Sequence, residues 1–206
     1  ASAFFANAVD IVINAGTMLG KDMDEYRELY KNIVAKFREY FMENGMPKKE
    51  LPFTEIKPVW KENASVVDKI RLGMTQTALV LILKFNLCLP EERTAIADKL
   101  EELIHEFGNR MSTGFVGTPH ILHVLTECGK INLAYELLFQ DKNPSWLYSV
   151  DHGATTMWEH WNGIKEDGSF WADDMNSFNH YAYGAVGDWL YGVCAGIMPC
   201  KDGPGY

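Results

Sequence analysis

The sequence predicts an all-α chain built as an incomplete ring of helical hairpins, and three observations lead there. Two kinds of helix alternate along it, one apolar nearly all round and one carrying a single apolar stripe. The intervals between the apolar helices are unequal, whereas a solenoid of stacked hairpins needs self-similarity at a fixed period. The 206 residues are 47% hydrophobic and 23% charged, enough for one sizeable core and unlike a disordered chain.

Residues 3 to 19 carry Phe4, Phe5, Val9, Ile11, Val12, Ile13, Met18 and Leu19 on most faces, as a helix buried on two sides must. From 22 to 43, Tyr26, Leu29, Tyr30, Ile33, Phe37, Tyr40 and Phe41 step by three and four, with charges on the other face. The pair recurs as Ala78 to Leu83, apolar all round, and a stripe of Ile96, Leu100, Leu103, Ile104, Phe107 and Met111 after Pro90, which suits a first helical turn. A shorter pair spans about 118 to 127 and 131 to 140, with Gly129 as the stop between them. A last apolar helix spans about 177 to 197 and has no outer partner in the chain. Inner helices touching neighbours on both sides and outer helices facing water are what a toroid requires. Two connections are long, 44 to 72 and 141 to 176, and connections of that length tend to be functional. Short irregular or β pieces are expected in 141–175.

Composition excludes several functions. A formal charge of −9 repels a phosphate backbone, and the one basic doublet, Lys48-Lys49, is followed by Glu50, so no nucleic-acid partner is expected. The apolar stretches 3 to 19 and 75 to 89 are broken by Asp10, Asn14, Gln76, Lys84 and Asn86, which is too polar for a membrane span of roughly 20 residues. The chain opens directly in a helical pattern without a basic leader, which suggests a piece of something longer. Cys88, Cys128, Cys194 and Cys200 are scattered, so reduced thiols and a cytoplasmic location are expected. The sequon Asn63-Ala64-Ser65 carries little weight without a secretory signal. His120, His123, Glu127 and Cys128 form no ligand set of zinc spacing, so no metal is expected. The chain has no GxGxxG after a strand, no P-loop and no GxSxG elbow, so no nucleotide, other cofactor or serine nucleophile is called for.

The chemistry concentrates between 143 and 197. Eleven aromatic side chains lie between 146 and 191, among them five of the six tryptophans. Seven acids (Asp151, Glu159, Glu166, Asp167, Asp173, Asp174, Asp188) face one base, Lys165. Aromatic planes stack on the C–H faces of sugar rings while acids bind hydroxyls, and glycoside hydrolysis runs on two carboxyl groups. Any single Trp could equally be core; the joint enrichment points to a sugar.

Five segments then stand in order: Gly114-Phe115-Val116-Gly117-Thr118-Pro119, Ala134-Tyr135-Glu136-Leu137-Leu138, Pro144-Ser145-Trp146, Gly153-Ala154-Thr155-Thr156-Met157-Trp158-Glu159-His160-Trp161, and Asn176-Ser177-Phe178-Asn179-His180-Tyr181 running on to Tyr191. Together they closely resemble the bacterial α-L-rhamnosidases, inverting glycosidases whose catalytic domain is an (α/α)6 ring of six helical hairpins. The likeness is strongest from about 110 to 197. It implies that residues 1–206 are the C-terminal portion of such a domain, a partial (α/α)6 toroid, acting on a rhamnose-containing glycoside.

The resemblance implies Glu159 as the general base that activates water and His180 as a contact to the rhamnose hydroxyls. Trp158, Trp161 and Trp171 are the candidates to line the sugar site. Thr156 and Glu159 also have the spacing of a capping box, which would set Glu159 in a first helical turn with its ionised form favoured; an ionised carboxylate can accept a proton from water. The family's general acid lies in an acidic motif upstream of anything matching here, and its domain has about twice as many helices. Asp151, Glu166, Asp167, Asp173 and Asp174 are substitute candidates that read more readily as solvated loop charges. Inversion needs a second carboxyl roughly 6.5 to 9.5 Å from the base. Alternatives are a sugar-binding or assembly module without turnover, or a toroidal glycosidase for another sugar. An opened ring exposes inner-helix flanks, so self-association, or pairing with the other half of the domain, is also expected.

Overall fold

The computed structural model describes residues 1–52 and 70–199. Part of the 44 to 72 connection, with Pro58 and the sequon at Asn63, lies outside the described residues, as does Cys200. The chain divides into two compact units, Ala1–Asp98 and Lys99–Tyr206. Helices dominate both, in agreement with the all-α expectation.

In the first unit, α1 (Ser2–Met18) and α2 (Asp24–Phe41) pack as a hairpin. α2 carries Asp24 and Glu25 in its first turn and Arg38 in its last, matching the helix dipole at both ends. It buries no residue fully, as an outer helix should. α1 departs from expectation. It buries only Ala3, Ala6 and Val9, while Phe5 is 54% exposed and Ile11 57%. A helix apolar all round needs neighbours on both flanks, and the described residues cover one of them.

Two antiparallel pairs follow: β1 (Met42–Glu43) with β2 (Met46–Pro47), and β3 (Glu50–Pro52) with β4 (Ile70–Leu72). The strands therefore sit in the first long connection; the second holds a single bridge, Ile164 to Phe170. β3 and β4 have three residues each, too few for an alternating apolar pattern to mark them in the sequence.

α3 (Gln76–Lys84) is capped by Thr75, whose side chain accepts from the Ala78 N–H at 3.1 Å. Gln76, Leu79, Val80, Ile82 and Leu83 are buried on it, the all-round burial expected of an inner helix. A 3-10 turn, Pro90–Glu92, leads into α4 (Arg93–Glu106), within which the unit boundary falls.

In the second unit, α5 (Gly114–Glu127) and α6 (Ile131–Leu138) form a hairpin turned by Gly129 at φ +76°. α5 starts four residues earlier than its apolar pattern suggests, and Pro119 lies inside it. Ile121, Leu122, Val124 and Leu125 of α5 are buried, as are Leu133, Ala134 and Leu137 of α6. Lys130 between them pairs with Glu101 of α4 at 2.6 Å.

α7 (Trp146–Asp151) is a short helix inside what the sequence reads as connection. Its six residues are too few for a period to show, but Ser145 caps it by accepting from Tyr148 N–H at 3.1 Å. The last helix begins at Ala182 rather than near 177. It runs as a 3-10 turn (Ala182–Ala185), α8 (Val186–Trp189) and a π turn (Leu190–Cys194), and packs on α5. Residues 177 to 180 are withdrawn from it because their backbone bonds elsewhere.

Candidate active site

The segment between α7 and the last helix is irregular, and its geometry comes from backbone bonds between distant residues. Glu159 N–H donates to Ser177 C=O at 2.9 Å, and His180 N–H donates to Met157 C=O at 2.7 Å. The Thr156 hydroxyl donates to Phe178 C=O. This ladder sets the Glu159 segment beside the His180 segment. It also corrects the capping-box expectation: Glu159 is in no helix, and Thr156 is a donor across the ladder instead of a cap. The carbonyls of 177 and 178 outcompete a first turn that would have left its own N–H groups half satisfied.

His180 is half-buried. Its ring stacks on Phe115 of α5 at 4.8 Å and 12°, and on Tyr181 at 5.1 Å and 12°. Ala182 N–H donates to its Nδ1 at 3.3 Å. With Nδ1 accepting that bond, Nε2 is the ring nitrogen left to carry an N–H. Nε2–H is then a donor available to a sugar hydroxyl.

Tyr183 lies at the middle of the cluster. Trp161, two residues after Glu159, stacks on it at 3.7 Å and 16°, and Phe115 leans against it at 5.2 Å. Trp146 meets Trp161 edge-on at 5.4 Å and donates from Nε1 to Tyr183 C=O at 2.9 Å. Burial first, and the charge of Glu159 second, push the Tyr183 phenol up to about 12. Glu159, His180, Tyr183, Phe115 and Trp161 thus share one region within the second unit.

Tyr183 and Phe115 were missed by the sequence reading, although both stand inside quoted motifs.

The other candidates sit apart. Trp158 is 4% exposed and packs edge-on against Phe178 at 5.3 Å, so it underlies the site as core instead of presenting a free face. Trp171 stacks on His160 at 3.6 Å and 12°, and its N–H reaches Gly163 C=O at 3.0 Å. It reaches the site through the neighbour of Glu159. Asp167 accepts from both the N–H and the hydroxyl of Ser169, which lowers its proton affinity and ties it to a turn. Asp151, Glu166, Asp173 and Asp174 are exposed, consistent with solvated charges.

His123 Nε2 lies 2.9 Å from Asp188 Oδ2. Among the described residues no group of three or more His, Cys, Asp or Glu is arranged to hold a metal ion, and no helix is long and apolar enough to cross a membrane.

Residues 1–194 match the family described as the bacterial alpha-L-rhamnosidase 6 hairpin glycosidase domain. An α-L-rhamnosidase of Streptomyces avermitilis is 42% identical over 98% of this chain and 18% of its own length. One of Formosa agariphila is 38% identical over 98% of this chain and 20% of its own. The crystal structure of the S. avermitilis enzyme complexed with L-rhamnose superposes with a TM-score of 0.84 at 41% identity, covering 100% of this chain and 18% of that one. The native Aspergillus terreus α-L-rhamnosidase gives 0.81 at 30% identity, over 98% of this chain and 21% of that one. The chain spans about a fifth of the length of these relatives. With a profile matched from the first helix to the π turn, and the same backbone course in solved relatives, this chain belongs to the six-hairpin glycosidase domain family of the bacterial α-L-rhamnosidases.

Proposed function

We propose that this chain is the C-terminal part of the catalytic domain of an inverting glycosidase that removes terminal α-L-rhamnosyl groups. Glu159 is the general base, and His180 is a donor to the sugar hydroxyls. The observation that carries this is the ladder joining Glu159 to Ser177 and His180 to Met157, which sets the half-buried Glu159 and His180 segments side by side next to one aromatic cluster. The likeness to relatives that are α-L-rhamnosidases, one crystallised with L-rhamnose, supports the choice of sugar.

Glu159 would take a proton from water as it attacks the anomeric carbon, and a carboxylic acid elsewhere in the domain would protonate the leaving oxygen. The acidic side chains near Glu159 in sequence are exposed or tied to a turn, which favours a donor from outside this set. Trp161, buttressed by Trp146 and Tyr183, holds the aromatic wall in place.

The test uses the complete protein with an aryl α-L-rhamnoside, and a separate titration with rhamnose. Glu159→Gln should lower kcat by on the order of a hundred- to ten-thousand-fold, leaving rhamnose affinity nearly intact. Full activity of that variant would end the assignment. Binding without turnover by the unaltered protein would favour a sugar-binding module instead.

Self-association or pairing through the open flank of α1 is part of the same proposal, since Phe5, Ile11, Val12, Met18 and Leu19 are all exposed there. Light scattering of the isolated chain should report a mass above the monomer at micromolar concentration. A clean monomer would remove this part.

A further inference from the structure

Phe115 belongs to the Gly114-to-Pro119 segment, which the general-base reading leaves without a task. Its ring is 42% exposed, whereas Ile121, Val124 and Leu125 of the same helix are fully buried. Core filling alone therefore does not explain an aromatic side chain at the head of α5. The turn that carries it is anchored, because the hydroxyls of Thr113 and Thr118, each 4% exposed, are bonded to one another at 2.7 Å. α5 thus holds out one ring from a fixed base.

That ring meets His180. The two planes are 12° apart with centroids at 4.8 Å, an offset stack, and Tyr183 supports Phe115 from a second side at 5.2 Å and 55°. An imidazole needs such a contact to be aimed, since the torsion that turns its plane has only a broad, two-fold preference. Two restraints divide the task. The Ala182 N–H on Nδ1 selects which edge of the ring faces the backbone, but at 3.3 Å it is a long bond that sets the plane loosely. The face of Phe115 sets the plane. Tyr181 stacks on the same imidazole at 5.1 Å, yet it is 88% exposed, so little protein surrounds it to hold it still. With plane and edge both fixed, Nε2 points in one direction.

We propose that Phe115 is a positioning residue for His180, keeping the imidazole plane in place so that Nε2–H meets a hydroxyl of the bound pyranose. This rests on the reading of His180 as a donor to the sugar. A ring already held in its binding orientation loses less freedom when the sugar arrives, and the difference appears as affinity. Phe115 acts through the imidazole and is not itself catalytic.

The test is a double-mutant cycle in the complete protein, read by titration with rhamnose, with kinetics on an aryl α-L-rhamnoside and a thermal melt alongside. Phe115→Leu keeps an apolar side chain and removes the plane; Phe115→Tyr keeps the plane. With His180 present, Phe115→Leu should weaken rhamnose binding about five- to tenfold and raise KM in parallel, with kcat within about threefold. In a His180→Ala background the same change should alter affinity by less than about twofold, because the group it positions is gone. Phe115→Tyr should bind rhamnose within about twofold of the unaltered protein. A residue that only supports the fold would lower the melting temperature without this dependence on His180. An effect of Phe115→Leu below about twofold, or one of equal size in both backgrounds, would overturn the proposal. So would a loss in Phe115→Tyr as large as that in Phe115→Leu. Phe115→Met, also without a plane, gives the same reading where Phe115→Leu does not fold. If His180→Ala leaves rhamnose affinity unchanged, the reading of His180 fails and this inference with it. Weak binding by His180→Ala beside normal binding by Phe115→Leu sinks this inference alone.

Discussion

Glu92 forms a partly buried ion pair with Arg38 in the first unit, and removing it has a definite magnitude and pH signature. Arg38 donates to its two oxygens at 2.6 and 2.8 Å, and Leu89 N–H donates to Oε2 at 2.8 Å. The side chains are 24% and 15% exposed, so the pair lies between the two limits that are well characterised. A fully exposed pair contributes about 0 to 1 kcal/mol, and breaking a buried one costs about 3 to 5. Glu92→Ala also removes the acceptor at the head of the 3-10 turn, a loss of about 1 kcal/mol. We expect about 3 kcal/mol in total, read as a lower urea midpoint at pH 7. The Lys36–Glu39 pair, at 2.7 Å with side chains 78% and 69% exposed, is the control. Its bond is as short, yet Glu39→Ala should leave the midpoint unchanged within error, because exposure and not distance sets the difference.

The pH dependence of the Glu92 contribution has a definite sign. The hydrogen bond from Arg38 holds the Glu92 carboxyl below its ordinary range, and the same bond raises Arg38 above its own. A carboxyl with a depressed folded value contributes stability that is full above its unfolded value and lost as pH falls through the folded one. Arg38, raised above an ordinary value that is already far into the alkaline range, stays charged throughout, so its part is constant over any practical range. The deficit of Glu92→Ala should be complete at neutral pH and shrink on acidification below about pH 4. A deficit that stays the same size at pH 2, or one no larger than that of Glu39→Ala, would refute the reasoning.

Further predictions concern packing. A Cβ built on Gly73 would stand 2.1 Å from the Lys48 carbonyl oxygen, a backbone atom that cannot rotate away, whereas one on Gly16 would meet the Sδ of Met23 at 2.1 Å, the flexible end of a side chain. Gly73→Ala should therefore lower stability by about 2 kcal/mol or more, while Gly16→Ala, offset by about 1 kcal/mol of helix propensity, should come out near neutral in urea unfolding. Trp189 is 1% exposed and donates from Nε1 to Thr126 Oγ1 at 3.0 Å. Trp189→Phe leaves a void and an unused acceptor against α5, and should cost about 2 kcal/mol in the second unit by the same measurement.

Helices were legible in the sequence where one period ran for several turns, as in α2, or where an unbroken apolar run marked a buried helix, as in α3. α7 was not, because six residues hold under two turns, and its one signal, Ser145 before an aromatic, also fits a loop. The strands β3 and β4 were hidden for a different reason: three residues each are too few for alternation to stand out, and each exists only because the other pairs with it. Physics by sequence pattern sees local preference, and these elements rest on partners distant in the chain.

The site separates the same two kinds of information more sharply. Which residues matter was carried by motif order, while where they stand was decided by contacts that no spacing encodes. Thr156 and Glu159 have capping-box spacing, and a purely local reading puts them in a helix. The structure uses the same threonine as a donor to Phe178 C=O, 22 residues away. Glu159 is consequently held by its backbone N–H on Ser177 and by the stacking of Trp161, two residues on, against Tyr183. The proposed base thus sits on an irregular segment whose neighbouring rings are pinned by one another: Trp161 by Trp146, Tyr183 by Trp161, and His180 by Phe115. Regular secondary structure is one means of preorganising a carboxylate; a closed set of stacked rings is another, and it explains why aromatic residues crowd a stretch of the chain whose backbone is largely irregular.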